Sequence, residues 1–166
     1  MNAYGPTEAT VKTTSYWCSL DDEMLPIGKP IANTKVYILD PQNNLTPVGV
    51  PGELCTAGIQ VAKGYLNRPE LTEKKFVPNP FSTNANDKTL YRTGDLVRWL
   101  PDGNLEFLGR IDNQVKVRGF RIELGEIESQ LIKHPWVDQC TVIVREEEEG
   151  NKYICLLYTS PSPRDA

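Results

Sequence analysis

Proline and glycine divide the first two-thirds of this chain into short segments, and this spacing limits the folds open to it. The 166 residues include 13 prolines and 12 glycines. Proline fixes φ and lacks a backbone donor, whereas glycine adopts turn conformations that other residues avoid. The sequence therefore predicts several short strands joined by turns.

Residue types within these segments indicate which of them form strands and helices. Residues 35–39 (KVYIL) and 53–56 are rich in β-branched, aromatic and apolar residues, which favours strands. Residues 70–76 follow Pro69 and predict a short helix, because proline suits the first helical position. The polar residues 82–88 predict a surface loop.

Two antiparallel ribbons are predicted next. Strand-like residues 96–100 and 104–108 flank the Pro-Asp-Gly sequence at 101–103, in which proline presets φ and glycine accepts a positive φ. Residues 114–117 and 120–122 predict a second ribbon around a central glycine.

The hydrophobic period then changes from two to about 3.6 residues. Four apolar residues share one helical face, and Pro135 lies just beyond them: Leu124, Ile127, Leu131 and Ile132. Strand character returns at residues 141–144 and 153–157. We therefore predict an α+β fold with a domain boundary near residues 110–113, where the composition and the period change.

Composition and charge argue against several classes of protein. The net charge of -4 and pI near 5.1 disfavour a general nucleic-acid-binding protein, which usually carries a basic face. No apolar run approaches the roughly 18 residues of a membrane span. Four scattered cysteines and a single histidine argue against structural zinc, and together with the absence of a signal-peptide pattern they predict a cytoplasmic protein.

The segment NAYGPTE at residues 2–8 places a hydroxyl next to a carboxylate. Gly5 and Pro6 favour a sharp turn, from which Thr7 and Glu8 can both project. Proteins typically hold Mg²⁺ through one or two carboxylates together with phosphate oxygens, so the pair suits a phosphate and its cation. Taken alone, the segment fits a helix start better, with Thr7 as the N-cap.

The segment YRTGD at residues 91–95 places Asp95 next to a glycine turn, where a carboxylate could accept hydrogen bonds from a ribose diol. A turn aspartate that satisfies local amides is the commoner arrangement. Four cations follow within twelve residues, namely Arg110, Lys116, Arg118 and Arg121. They could contact an anion or lie on an exposed ribbon.

The order and combination of the motifs are much more specific than each motif alone. The chain closely resembles the adenylation domains of nonribosomal peptide synthetases, within the superfamily that also includes acyl-CoA synthetases. The motifs that carry this resemblance span most of residues 1–130 and are NAYGPTE, GELCTAG with KGYLNRPELT, YRTGD and GRIDNQVKVRGFRIELGEIE.

The resemblance implies an ATP-dependent ligase that activates an amino acid for peptide secondary metabolites. Such enzymes use ATP and Mg²⁺ to form an aminoacyl-adenylate and pyrophosphate. They then pass the acyl group to the phosphopantetheine thiol of a peptidyl carrier protein. Nucleic acid and membrane partners are not expected.

By this resemblance, two catalytic residues lie in the first motif. Thr7 would contact the ATP phosphate, and Glu8 would help to hold Mg²⁺. Tyr4 would stack near the adenine, while Asp95 would bind the ribose hydroxyls with Arg110 at the same sugar.

Further roles follow from the same resemblance. Asp112 matches the hinge residue between the large and small subdomains. Gly119, and with it Lys116, matches the loop that approaches the pantetheine arm during thioester formation. Pocket-lining positions correspond to Ala3, Val11 and Lys12, but they do not identify the amino acid.

The resemblance also predicts the organisation of the chain. Residues 1–111 would form the β-rich C-terminal part of the large AMP-binding subdomain, and residues 112–155 the hinge and truncated start of the C-terminal lid. Residues 156–166 resemble translated sequencing adapter and are predicted to be a non-native tail. A Ser/Thr/Gly-rich phosphate loop would precede residue 1 and a catalytic lysine would follow residue 155, so we expect the isolated chain to be inactive.

Two alternatives remain open from the sequence. The chain could belong to an acyl-CoA or aryl-acid ligase of the same superfamily. It could also be a non-catalytic nucleotide-binding module, which would bind ATP with micromolar affinity by itself.

Overall fold

The computed structural model describes residues 1–112, 114–117, 120–146 and 151–160, without the side chains of residues 116 and 121. The chain divides into two compact units, Met1–Ile111 and Asp112–Ala166. Strands predominate over helices in the residues described, and the α+β prediction is confirmed.

Two antiparallel sheets form the first unit. The smaller one has the order β1-β2-β3, with β1 at Asn2–Tyr4, β2 at Thr14–Tyr16 and β3 at Lys29–Pro30. The larger one has five strands: β4 (Thr34–Leu39), β5 (Gly52–Gly58), β6 (Phe76–Pro78), β7 (Thr89–Trp99) and β8 (Leu105–Arg110). Strand β7 pairs with β5 on one edge, and with β6 and then β8 on the other.

The predicted hairpin at the Pro-Asp-Gly sequence is confirmed. Leu100 N and Asn104 O close the β7–β8 turn at 2.8 Å, and Gly103 adopts a φ of 79°. The Asp102 carboxylate accepts a hydrogen bond from Asn104 N at 2.9 Å. Strand β7 begins at Thr89, seven residues earlier than predicted, so the YRTGD motif lies within a strand.

Hydrophobic residues cover both faces of the larger sheet. Successive side chains of a strand point in opposite directions, so each strand contributes to both faces. Along β5, Leu54 belongs to one core cluster, whereas Cys55 and Ala57 belong to the other. Two-sided burial explains why residues 36–39 (VYIL) form a continuous apolar run rather than an alternating one. Burial of one large aliphatic side chain contributes about 1.5–3 kcal/mol.

The segment between β5 and β7 contains β6, a helix before it and a more ordered loop after it than the sequence predicted. Helix α1 spans Pro69–Lys75, one residue earlier at each end than the predicted 70–76, because Pro69 takes the first helical position and Phe76 begins β6. The predicted surface loop contains a 3₁₀ helix at Ala85–Asp87 with a capping box from Asn84. The Asp87 side chain is buried and accepts hydrogen bonds from Lys35 and Ser82, so this residue anchors the loop.

In its described residues, the second unit has two antiparallel strand pairs and one helix. The first pair joins β9 (Gln114–Val117) to β10 (Phe120–Glu123), helix α2 spans Leu124–Leu131, and β11 (Gln139–Glu146) pairs with β12 (Lys152–Thr159). These elements match the predicted ribbon, helix and strands.

Two details define the second unit further. Glu128 on α2 accepts a hydrogen bond from Val142 N of β11 at 2.7 Å. Strand β12 continues past the predicted end at residue 157, because Tyr158 and Thr159 pair with β11. No helix in the described part of the chain is long and apolar enough to cross a membrane.

Candidate functional site

Asp95 lies in a β-bulge of β7, not in the glycine turn that the sequence suggested. The β5–β7 register pairs Cys55 with Arg92 and Glu53 with Leu96, so three residues of β7 face a single residue of β5. Gly94, within the bulge, has a φ of 74°, a conformation that glycine adopts without steric cost. Bulges redirect side chains locally and recur next to active sites.

Hydrogen bonds to β5, and one within β7 itself, hold this bulge in place. Gly94 N donates to Glu53 Oε1 at 3.0 Å. The Thr93 hydroxyl donates to Leu54 O at 2.7 Å and accepts from Asp95 N at 3.0 Å. These bonds fix the position of Asp95 in the bulge.

The Asp95 carboxylate is nearly buried, with 6% of the residue exposed, and both of its oxygens accept hydrogen bonds. Arg110 Nη1 donates to Oδ1 at 2.8 Å and also to Thr93 O at 3.0 Å. The Tyr4 hydroxyl donates to Oδ2. Burial and the adjacent Asp95 charge raise the pKa of Tyr4 above its ordinary value of 10.0, so the phenol stays protonated.

The first motif forms a single 3₁₀ turn over Thr7–Ala9. Pro6 occupies the N-cap position and Thr7 is the first helical residue, without a side-chain capping bond. The interpretation of Thr7 as an N-cap is therefore wrong. Thr7 is exposed and Glu8 is partly buried.

Glu8 is attached to the segment that follows β5. Tyr65 Oη donates to Glu8 Oε1 at 2.6 Å, and Ala62 N donates to Glu8 O at 2.8 Å. Tyr65 Oη also lies 3.4 Å from the hydroxyl of Tyr91, which belongs to β7. The first motif therefore connects to β7 in two places, through Tyr4 and through Glu8.

Of the three residues expected in a substrate pocket, one lies on β1 and two lie between the 3₁₀ turn and β2. Ala3 is exposed and pairs with Ser15 of β2. Val11 is 71% exposed with a φ of 67°, and Lys12 N bonds to Thr10 O across it at 2.8 Å. This i to i+2 bond defines a γ-turn, a strained conformation for a β-branched residue.

Three other predicted residues belong to the second unit. Asp112 Oδ1 accepts a hydrogen bond from Gln114 N at 3.2 Å. Lys116 lies on β9 opposite Arg121, and its side chain is outside the described structure. Gly119 also lies outside the described residues.

Sequence reasoning missed three residues that support the site, namely Glu53, Tyr65 and Tyr91. Each belongs to a motif that the sequence analysis quoted. Nothing in the local sequence indicates that Tyr65 and Glu8, 57 positions apart, form a hydrogen bond.

The oxygen donors of the first motif suit a hard cation such as Mg²⁺. Among the described residues, no group of three or more His, Cys, Asp or Glu could hold a metal alone. Mg²⁺ often binds through one or two carboxylates and takes its other ligands from phosphate and water. Glu8, with the Thr7 hydroxyl beside it, meets that smaller requirement.

Comparison with known proteins shows which proteins the chain resembles. The family described as AMP-binding enzyme matches residues 1–66. Bacitracin synthase 1 of Bacillus licheniformis is 56% identical over 163 residues, which cover 96% of this chain and 3% of the synthase. Tyrocidine synthase 3 of Brevibacillus parabrevis is 55% identical over 166 residues, which cover 99% of this chain and 2% of that protein.

Solved structures give the same result. Holo-PA1221, a nonribosomal peptide synthetase protein with adenylation and PCP domains, is 35% identical with a TM-score of 0.85. The match covers 98% of this chain and 29% of PA1221. Holo-AB3403, a four-domain synthetase bound to AMP and glycine, is 42% identical with a TM-score of 0.62. This match covers 97% of this chain and 12% of AB3403.

The chain spans only a few per cent of the synthetases and about a third or less of the solved proteins it matches. Its β-rich architecture corresponds to the C-terminal part of an adenylation domain. The chain belongs to the AMP-binding enzyme family, as part of an adenylation domain of the nonribosomal peptide synthetase type.

Proposed function

We propose that the protein containing this chain activates an amino acid with ATP and transfers it to a carrier protein. The first step forms an aminoacyl-adenylate and releases pyrophosphate. The second passes the acyl group to a phosphopantetheine thiol. The observation that carries the proposal is the Asp95 carboxylate, held on a β-bulge between Tyr4 and Arg110 in a chain of the AMP-binding family.

The chemistry of this cluster suits a nucleoside. An ionised carboxylate has about four lone-pair positions and arginine has five N–H donors, so Asp95 and Arg110 can bond a ribose diol in addition to each other. The hydroxyl bond from Tyr4 to Asp95 fixes the orientation of the tyrosine ring. A fixed ring can stack on adenine without losing further side-chain entropy.

Thr7 and Glu8 are proposed to act at the phosphates. The exposed Thr7 hydroxyl can donate to a phosphate oxygen, and the Glu8 carboxylate can hold Mg²⁺. When bound, Mg²⁺ neutralises the negative charge of the phosphates and so favours attack by the substrate carboxylate. Both residues lie on one 3₁₀ turn, Thr7–Ala9.

The second unit is proposed to contribute to the transfer step. Residues 112–155 would form the hinge and the start of the lid, with Asp112 as the residue about which the lid rotates. Lys116 and Gly119 would lie in the loop near the pantetheine arm. Ala3, Val11 and Lys12 would line part of the amino-acid pocket in the first unit.

The setting of the reaction follows from the same proposal. The partner would be a peptidyl carrier protein, and PA1221 combines adenylation and PCP domains in one protein. All four cysteines of this chain are free thiols, which fits a reducing, cytoplasmic compartment.

ATP–pyrophosphate exchange tests the proposal most simply. The complete adenylation domain that contains these residues is assayed with a panel of amino acids, aryl acids and fatty acids. We expect exchange that depends on one amino acid or a small group of them, and no exchange by the 166-residue chain alone. Asp95→Asn should raise the KM for ATP, whereas Asp102→Asn at the exposed β7–β8 turn should leave it unchanged.

Other outcomes would replace the proposal. Exchange with aryl or fatty acids, followed by transfer to free coenzyme A, would indicate an acyl-CoA or aryl-acid ligase. Micromolar ATP binding by the isolated chain, with no exchange by the complete domain, would indicate a nucleotide-binding module.

A further inference from the structure

The segment after β5 contacts Glu8, at the end of the first motif, and Thr10 just beyond it. Ala62 N bonds to Glu8 O at 2.8 Å, and Gln60 O accepts from the Thr10 hydroxyl at 2.7 Å. Three residues after Ala62, Tyr65 reaches the Glu8 carboxylate itself. The proposed nucleotide chemistry assigns no role to this segment, although its sequence, KGYLNRP, is one of the motifs of the chain.

Tyr65 is fixed from several directions. Its ring meets Phe76 edge-on, with centroids 5.3 Å apart, and its hydroxyl lies 3.4 Å from that of Tyr91. The Thr72 hydroxyl accepts a hydrogen bond from Tyr65 N at 2.9 Å. Gly64 has a φ of 145°, and a Cβ there would overlap the side chain of Thr72, so this close approach requires glycine. Tyr65 is therefore a rigid donor.

A rigid donor matters because a glutamate side chain has several rotatable bonds. Free in solution, the Glu8 carboxylate would occupy many positions, and a metal would have to select one of them. The 2.6 Å bond from Tyr65 restricts that choice before any ligand binds. Groups that orient metal ligands in this way often matter almost as much as the ligands themselves.

We infer that Tyr65 is a positioning residue, which orients the Glu8 carboxylate for the Mg²⁺ that accompanies the nucleotide phosphates. This inference rests on the proposed role of Glu8. Tyr65 acts through Glu8 and does not touch the metal, the nucleotide or the amino acid. Phe76, Thr72 and Tyr91 in turn hold Tyr65.

The test measures how pyrophosphate exchange by the complete adenylation domain depends on free Mg²⁺, with ATP and the amino acid saturating. Tyr65→Phe removes the hydroxyl but keeps the ring against Phe76. We expect it to raise the half-saturating Mg²⁺ concentration by about tenfold. Tyr16→Phe is the matched control, because Tyr16 Oη donates to the Asp22 carboxylate at 2.9 Å elsewhere in the same unit. This control should keep the wild-type Mg²⁺ dependence.

The double variant decides how Tyr65 acts. If Tyr65 works only through Glu8, Tyr65→Phe should have no further effect in a Glu8→Gln background, because coupled residues are non-additive. An equal loss in both backgrounds would show that Tyr65 only stabilises the fold, and wild-type Mg²⁺ dependence of Tyr65→Phe would overturn the inference directly.

Two further measurements separate the possible failures. Normal Mg²⁺ dependence of Glu8→Gln, in a domain that exchanges normally, would remove Glu8 from the metal site and the inference with it. The amino-acid-activating function would survive that result. Should thermal unfolding show that Tyr65→Phe does not fold, Glu8→Asp withdraws the carboxylate from Tyr65 by one methylene. It must then raise the Mg²⁺ requirement, and an unchanged requirement would refute the positioning role.

Discussion

Replacement of Tyr4 by phenylalanine isolates the hydrogen bond that joins the first motif to β7. The change removes only the hydroxyl that donates to Asp95 Oδ2, and the ring keeps its packing against the core and its contact with Phe107. Asp95 retains Arg110 as a partner, so the variant does not strand an unpaired buried charge. A hydrogen bond to a charged group contributes about 1.5–3 kcal/mol. Because Asp95 stays paired, we expect the lower part of that range.

Urea unfolding of the 166-residue chain at pH 7 measures this free energy. The pKa of Tyr4 is raised in the folded state, mainly by burial and then by Asp95. The contribution of the protonated phenol is therefore fully present below the unfolded pKa of 10.0 and is lost as the pH rises above it. The stability difference between wild type and Tyr4→Phe should be constant up to about pH 9 and shrink beyond pH 10.

Two results would refute this reasoning. Equal stability of the two proteins at pH 7 would mean that the hydroxyl bond contributes nothing. A difference that stays constant through pH 11 would mean that ionisation of Tyr4 is not linked to folding.

Three further predictions concern residues around the same sheet. Burial raises the pKa of the Cys55 thiol to about 12. Iodoacetamide at pH 8 should therefore label exposed Cys18 and leave Cys55 unmodified, as detected by mass spectrometry. Equal labelling of the two cysteines would contradict the burial of Cys55. Hydrogen bonds from Lys35 and then Ser82 lower the pKa of Asp87 from 3.8, so its stabilising contribution should be lost as the pH falls below that value. Asp87→Asn should then flatten the acid side of the stability profile, and an unchanged profile would contradict this. Gly94→Ala should destabilise the chain by about 1–2 kcal/mol, because Gly94 has a positive φ. Gly125→Ala in α2 has open space at the added Cβ and should stabilise the chain by up to about 1 kcal/mol. Stability changes of the same sign for both variants in urea unfolding would be inconsistent with the bulge.

Local residue patterns were enough to predict the elements whose ends depend on neighbouring residues. The hairpin at residues 101–103 follows from the conformations of proline, aspartate and glycine. Helix α1 begins at Pro69, and helix α2 follows the apolar period that ends before Pro135. These features depend on a few adjacent residues, which the sequence displays directly.

Features that depend on distant residues could not be predicted in this way. The same Thr-Gly-Asp sequence suits a turn or a bulge, and only the pairing of β7 with β5 and β8 selects the bulge. The Tyr4–Asp95 bond joins residues 91 positions apart. The local sequence predicted Asp87 in a surface loop. Its burial depends on Lys35, which lies 52 positions earlier and is not visible in the local pattern.

The functional roles of the site residues were predicted by resemblance and not by local physics. Taken singly, the Thr7-Glu8 pair and Asp95 fitted ordinary helix starts and turns at least as well as ligand contacts. The structure adds a physical reason to consider the first motif and Asp95 together, because β7 contacts that motif twice. Asp95 bonds to Tyr4, and Tyr91 contacts Tyr65, which bonds to Glu8. Their contacts with nucleotide and metal stay predictions.

A structure of the complete adenylation domain with AMP bound tests the central claim most directly. We predict that both ribose hydroxyls lie within hydrogen-bond distance of the Asp95 carboxylate, at about 2.7–2.8 Å, with Arg110 at the same sugar. AMP bound elsewhere, with the Asp95 carboxylate still bonded only to Tyr4 and Arg110, would contradict the account.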